Sequence, residues 1–192
     1  MAPSPSPDHG ELLLDLAQAA LLDALHQPGA PAVPAPLPAW LDEARGAFVT
    51  LTVDGRLNGC IGQIDSPAPL RTAIGRLARD AAFRDPRLPA LRAEDLPGLE
   101  IEVSVLSPLD PIAFADRQDL LAQLRPGTDG LLIAAGPRRA VFLPDVWDQL
   151  PAPDAFLGHL LAKAGFPLDA WPAGLQAWRF ATERFSRPLR PR

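Results

Sequence analysis

Residues 46–62, Gly-Ala-Phe-Val-Thr-Leu-Thr-Val-Asp-Gly-Arg-Leu-Asn-Gly-Cys-Ile-Gly, decide how this chain is read. Val49, Leu51 and Val53 alternate with Thr50 and Thr52, the period of a strand with one apolar face. Asp54-Gly55 is a two-residue turn signal. Gly46 to Ile64 therefore reads as a β-hairpin. Its return strand carries the only cysteine, Cys60, flanked by Gly59 and, one residue beyond Ile61, Gly62. Residues without side chains leave the thiol and nearby amides approachable, which an apolar packing site does not require. A plain two-residue turn sets Cys60 opposite Val49, on the face of Leu51 and Val53, where a thiol is buried and inert. One extra residue or a bulge reverses the face.

Outward from the hairpin, Leu12, Leu13, Leu16, Ala17, Ala20, Leu21, Ala24 and Leu25 follow helical spacing, with Asp8 or a neighbour as cap. Residues 1–9 are Pro/Ser-rich and are expected to be disordered. Pro28 to Pro38 make an extended connector. Pro69 to Ala82 reads as a helix with Leu70, Ile74, Leu77, Ala78 and Ala81 on one face, followed by an irregular loop, Phe83 to Pro89. Leu99 to Leu106 reads as a strand. The second half repeats this order: a helix from about Asp116 to Arg125, strands Leu131 to Ala135 and Arg139 to Leu143, helical turns from Pro144, a helix from Pro153 to Ala164, and a strand from Leu175 to Phe185. The fold class expected is α+β, with duplicated helix-hairpin-helix-strand units sharing one barrel-like, mainly antiparallel sheet. The domain spans 10–186, with pseudo-repeats of about 10–113 and 114–186. Residues 187–192 are expected to form a loose tail.

Composition narrows the function classes. The chain has 192 residues, 47% hydrophobic and 21% charged, enough for a buried core. Its net charge of -5 gives no diffuse basic face for nucleic acid or anionic lipid. No apolar run reaches the ~18 residues of a membrane span. The N-terminus has neither a charged nor an apolar signal region, so the protein is placed in the cytoplasm. A single cysteine forms neither an internal disulfide nor a cysteine metal cage, and His9, His26 and His159 lack metal-ligand spacing. No cofactor motif is present. Lys163 is the only lysine in an arginine-rich chain.

Five segments in order resemble the AMMECR family, the protein-A component of AmmeMemoRadiSam systems: Gly46-Ala47-Phe48-Val49-Thr50-Leu51; Leu57-Asn58-Gly59-Cys60-Ile61-Gly62; Asp85-Pro86-Arg87; Ile101-Glu102-Val103-Ser104-Val105-Leu106-Ser107-Pro108; and Phe142-Leu143-Pro144 with Phe156-Leu157 and Lys163-Ala164-Gly165. The family usually has arginine where Asn58 stands and phenylalanine where Leu88 stands. The resemblance implies an internally duplicated, barrel-like α+β fold. It also implies association with a Memo-type metalloprotein and a radical SAM protein. It implies no reaction.

The candidate residues carry two readings each. Cys60 is a nucleophile or redox thiol if a cation, histidine or helix N-terminus lies beside it, and otherwise an inert packing residue. Glu102, with Ser104 on the same strand face, is a site carboxylate or part of a solvated face. Asp85-Pro86-Arg87 is a capped turn, or it holds Arg87 in a cleft for a carboxylate or phosphate. Lys163 balances its helix dipole or serves the site. Asn58, Gly59, Cys60, Ile61 and Gly62 are expected to meet Asp85, Arg87, Glu102 and Ser104 on one concave surface that binds a small molecule or peptide. Two functions follow: an accessory binding protein, or a cysteine-dependent enzyme acting through Cys60.

Overall fold

Asp54 and Gly55 take left-handed backbone angles, φ 49° and 75°, and turn the chain back on itself between β1 (Ala47–Val53) and β2 (Arg56–Gln63). A computed structural model describes residues 7–190 and gives the hairpin and its surroundings in full. Helix α1 (Pro7–Ala24) precedes the hairpin; α2 (Leu70–Phe83) and β3 (Leu99–Leu106) follow it. Next come β4 (Asp110–Ile112), α3 (Arg117–Gln123), β5 (Gly130–Ala135), β6 (Arg138–Phe142), α4 (Val146–Gln149), α5 (Pro153–Lys163), β7 (Gln176–Phe180) and β8 (Thr182–Pro188). The chain divides into two units. The first runs up to Leu106 and resumes at Glu183; the second is Ser107–Thr182.

The first unit is built on the four-stranded sheet β2-β1-β3-β8. The odd positions of β1, Ala47, Val49 and Leu51, are at most 1% exposed. So are Leu99, Ile101, Val103 and Val105 of β3. This apolar face is covered by α2, and α1 packs on α2 and β3. The helices bring Leu13, Ala17, Leu21, Leu70, Ile74, Leu77 and Ala81 into the same core. Each leucine or isoleucine fully buried there stabilises the unit by about 1.5–3 kcal/mol.

The second unit has the sheet β4-β7-β5-β6 and its own core. Leu131 and Ile133 of β5, Ala177 of β7 and Phe156, Leu157, Leu160 and Leu161 of α5 fill it. Asp116 caps α3, its side chain accepting from the Asp119 N–H at 2.9 Å. Read from the hairpin outward, the sheet orders are β2-β1-β3-β8 and β6-β5-β7-β4; in each, the strand after the hairpin pairs with the hairpin's first strand, while the fourth strand comes after the other three in the first sheet and before them in the second.

Four expectations are corrected. The strands form two antiparallel four-stranded sheets, and no closed barrel forms. The physical reason is that each strand run breaks and changes sheet. β3 ends at Ser107-Pro108, where proline offers no ladder donor, and β4 joins the second sheet. The run expected as one strand over 175–185 breaks at Ala181 into β7 and β8, which belong to different sheets. The Ser107 N–H donates to the Ala181 carbonyl at 2.9 Å, and the Ala181 N–H donates to the Ser107 hydroxyl at 3.0 Å, which fastens both break points.

At the N-terminus, α1 opens at Pro7, because proline fits a first helical turn. The expected disorder therefore fails for residues 7–9, and its remainder lies outside the described residues. The tail is not loose up to Arg190. Arg187 ion-pairs with Asp15 at 2.5 Å, Arg190 pairs with Glu11, and the Leu189 N–H reaches the Leu99 carbonyl at 2.8 Å. Residues 191–192 lie outside the described residues.

Because β8 is an edge strand of the first sheet, removing residues 182–192 should destabilise that unit rather than the second. Amide exchange is expected to accelerate in α1 and β3 and to stay unchanged in α5. Exchange that rises first in α5 would contradict this placement.

Candidate functional site

The hairpin register sets the site. Thr52 pairs with Leu57, but Leu51 pairs with Gly59, so Asn58 is one extra residue in β2. Beyond this bulge Cys60 lies opposite Thr50 rather than Val49. Its side chain therefore leaves the core face and joins Thr50. The Thr50 hydroxyl donates to Cys60 Sγ at 3.3 Å, and Cys60 is half-buried. The expectation that a plain two-residue turn sets Cys60 on the core face is corrected by that one residue.

The bulge also orders its neighbours. Gly59 turns toward α2, where a Cβ would strike the Ala81 carbonyl. Only glycine permits this approach. Ile61 pairs with Val49 and packs against the core, so its side chain is not part of the exposed site. Gly62 lies under the Phe48 ring, which occupies the space a side chain would need. Asn58 is 9% exposed and donates through Nδ2 to the Pro89 carbonyl at 3.5 Å.

The close approach of α2 delivers the following loop to the outer edge of β2. There Asp85 and Arg87 clamp the backbone of Cys60. The Cys60 N–H donates to Asp85 Oδ2 at 3.0 Å, and Arg87 Nη2 donates to the Cys60 carbonyl at 3.1 Å. The two side chains also hold each other: Nε to Oδ1 at 2.9 Å and Nη2 to Oδ2 at 2.7 Å. The Arg87 N–H adds a bond to Oδ1 at 3.1 Å. The Asp85 side chain is 1% exposed and that of Arg87 63%. The Arg87 guanidinium, and then the Cys60 N–H, hold the Asp85 carboxyl well below the usual carboxylate range, against the opposing effect of burial. Asp85 in turn raises the pKa of Arg87. The turn is capped by the Asp85 carboxylate, and Arg87 Nη1 has no partner among the described residues.

Glu102 lies across Thr50 on β3, two strand spacings from Cys60, or about 10 Å at the backbone. Its Oε1 accepts from the Ser104 hydroxyl at 3.3 Å, and Ser104 is 4% exposed. Cys60, Thr50 and Glu102 form one row across three strands, and Gly62, Phe48 and Ser104 form the next. Glu102 is thus on the thiol's face but is bonded to Ser104. Lys163 belongs to the second unit, where Nζ donates to the Val141 carbonyl at 3.0 Å and sits 5.2 Å from the centre of the Phe142 ring. Among the described residues no three His, Cys, Asp or Glu side chains form a metal-ligand set, and no helix is long and apolar enough to cross a membrane.

Sequence reasoning missed Thr50 and Phe48, the residues that touch the thiol and cover Gly62. The strand period had put both on the solvent side, and only a bulge brings Cys60 there with them.

These features describe an α+β protein with a thiol on a sheet face and an Asp–Arg clamp at the sheet edge. A family model described as AMMECR1 matches residues 14–185, and the chain belongs to that family. A protein of Methanothermobacter thermautotrophicus is 34% identical over 186 residues, covering 94% of this chain and 95% of its own length. A protein of Methanocaldococcus jannaschii is 36% identical over 156 residues, 77% of this chain and 76% of its own. The crystal structure of an uncharacterised protein from Pyrococcus horikoshii matches with a TM-score of 0.80 and 31% identity, over 95% of this chain and 94% of the other. None of these names states an activity.

Two predictions follow from the geometry. Gly59→Ala should cost about 1–3 kcal/mol in urea unfolding, because α2 must back away from β2; an unchanged midpoint would refute the close approach. The folded-state pKa of Asp85 is depressed, so its contribution is complete above the unfolded carboxyl pKa of about 3.9 and is lost as pH falls below that. Asp85→Asn should therefore lower stability at neutral pH and flatten the dependence below about pH 4. Parallel wild-type and variant curves through that range would show that the clamp is not formed.

Proposed function

We propose that this protein is an accessory binding protein. It presents the Cys60-bearing face and the Arg87 rim to a partner, working with a Memo-type metalloprotein and a radical SAM protein. The observation that carries this reading is the clamp. Both backbone groups of Cys60 are held by Asp85 and Arg87, while Arg87 keeps Nη1 and most of its surface open. A rigid backbone with an open charged rim suits recognition. The companions are those the family resemblance implies. The reading places the protein in the cytoplasm, where a lone thiol stays reduced. The shared placement of the hairpin and the strand that follows it in the two sheets supports an internal duplication.

A second reading, a cysteine-dependent enzyme acting on a small molecule or modified peptide, is favoured by the contact between the Thr50 hydroxyl and Cys60 Sγ. In that reading Cys60 attacks and Thr50 orients it. Glu102 would have to leave Ser104 to act as a base.

Calorimetry with the purified companions separates the two. The binding reading expects a complex with at least one of them, weakened about tenfold or more by Arg87→Ala. Cys60→Ala should largely retain that complex, because only backbone atoms of Cys60 enter the clamp. No complex with either companion at ~100 μM would overturn the binding reading. Turnover that is abolished by Cys60→Ala and slowed by Thr50→Val would establish the enzyme instead.

A further inference from the structure

We propose that the edge of β2 beyond the Asp85–Arg87 clamp captures the C-terminal residue of a partner chain, its carboxylate bridging the Gly62 N–H and Arg87 Nη1. The inference rests on the binding role proposed above and names the part of the partner that Arg87 recognises.

The strand register brings the two donors together. β2 is an edge strand of its sheet. Both backbone groups of Cys60 point away from β1, where Asp85 and Arg87 take them. Inward and outward residues alternate along an antiparallel ladder. The register runs unbroken from Cys60↔Thr50 to Gly62↔Phe48, so the Gly62 N–H and C=O point outward as well. Neither has a partner among the described residues, and Gly62 is only half-buried. Arg87 Nη2 sits 3.1 Å from the Cys60 carbonyl, and the next outward group along the strand is the Gly62 N–H. Nη1 belongs to the same planar fork and is unpartnered among the described residues, which sets it beside that N–H.

The same register decides which end of a chain fits. An antiparallel residue opposite Gly62 donates its N–H to the Gly62 carbonyl and offers its own carbonyl to the Gly62 N–H. The chain leaving that residue runs toward Cys60, into the space that Arg87 holds. It must end there, so the residue is C-terminal and its second carboxylate oxygen meets Nη1. A parallel strand would instead begin there and set an α-ammonium against the guanidinium. The acids near this edge are engaged: Asp85 with Arg87, Asp80 with Arg76 and Arg84, Glu102 with Ser104. Asp65, past the end of β2, is likewise not free. A phosphate dianion fits less well, because the buried Asp85 already balances the charge of Arg87. The terminal side chain lies on the face where the Phe48 ring covers Gly62, which favours an apolar residue.

Labelled peptides about six residues long, with free C-termini and varied terminal residues, test this on the full-length protein by fluorescence anisotropy. Peptides ending in an apolar residue are expected to bind. Amidating the C-terminus should weaken them about tenfold or more. Arg87→Lys keeps a cation for Asp85 but loses the fork, and should also weaken binding about tenfold; circular dichroism confirms that it is folded. In amide NMR spectra the Gly62 signal should shift as peptide is added. Equal binding of free and amidated peptides would overturn the proposal, as would an unmoved Gly62 signal or no binding at ~1 mM peptide. N-acetyl-leucine binding as tightly as the peptide would overturn the assignment to a partner chain. If the companions bind in calorimetry but free C-termini do not, this inference fails alone. If free C-termini bind and amidated ones do not, while neither companion binds, the capture site stands and the companion assignment falls.

Discussion

One extra residue, Asn58, determines what β2 shows to solvent. Without it, Cys60 would pair with Val49 and point into the core. With it, Gly59 and Ile61 take the core side and Cys60 joins Thr50. The consequences follow in order. Gly59 faces α2 without a side chain, so the helix can approach until the Ala81 carbonyl fills that space. The close helix delivers its following loop to the edge of β2, and Asp85 and Arg87 reach the Cys60 backbone. Asn58, two residues before Cys60, ties the other end of the loop through Pro89. Register, helix packing and clamp thus form one chain of dependence.

The clamp also answers a general problem of edge strands. An open edge with unpaired N–H and C=O groups is a template for unwanted pairing. In the first unit Asp85 and Arg87 occupy the lane beside Cys60 as a neighbouring strand would, one accepting and one donating. In the second unit β6 is an edge strand, and Lys163, at the end of α5, donates to its Val141 carbonyl. Arg138 of β6 reaches back to the Gly165 carbonyl at 2.7 Å. In both units a cation from the helix after the hairpin, or from the loop beyond it, closes a carbonyl of the hairpin's second strand. This accounts for Lys163 by its position at an edge, and its 3.0 Å bond is a sufficient local role. Arginine suits the first edge better, because its planar fork bonds Asp85 and the Cys60 carbonyl together.

Much of this was legible in the sequence. Alternation in β1 and β3, the Asp54-Gly55 turn and the spacing of leucines in α1 and α2 each give one period without competition. The meeting of Cys60 with Asp85 and Arg87 was also foreseeable, since consecutive elements tend to be neighbours. The bulge was not, because an asparagine within a strand has no signature that separates it from an ordinary residue. The division into two sheets was equally hidden. The run over 175–185 has the composition of one strand, and its break at Ala181 lacks the glycine or proline that would announce it. Ile61 was grouped with the site because it lies inside the motif, yet strand alternation sends it to the core. Glu102 was placed on the right face, but the two-strand distance to Cys60 depends on the order β2-β1-β3, a tertiary fact.

The clamp ties structure and recognition to the same atoms. Asp85 is buried, so its charge requires a partner, and Arg87 and the Cys60 N–H supply three kinds of contact. If the Arg87 side chain swung away to meet a ligand, the buried Asp85 charge would lose its counter-charge and keep only the Cys60 and Arg87 N–H groups, which makes that movement costly. A partner must therefore come to Arg87 as it stands, through Nη1 and the exposed flank of the guanidinium. That makes the guanidinium a group whose position is set by the fold. The thiol is held in a similar way, through its clamped backbone, and the Thr50 hydroxyl adds a bond to Sγ at 3.3 Å. What the surface offers is consequently a set of groups at defined positions, and specificity there comes from matching those positions rather than from rearranging them.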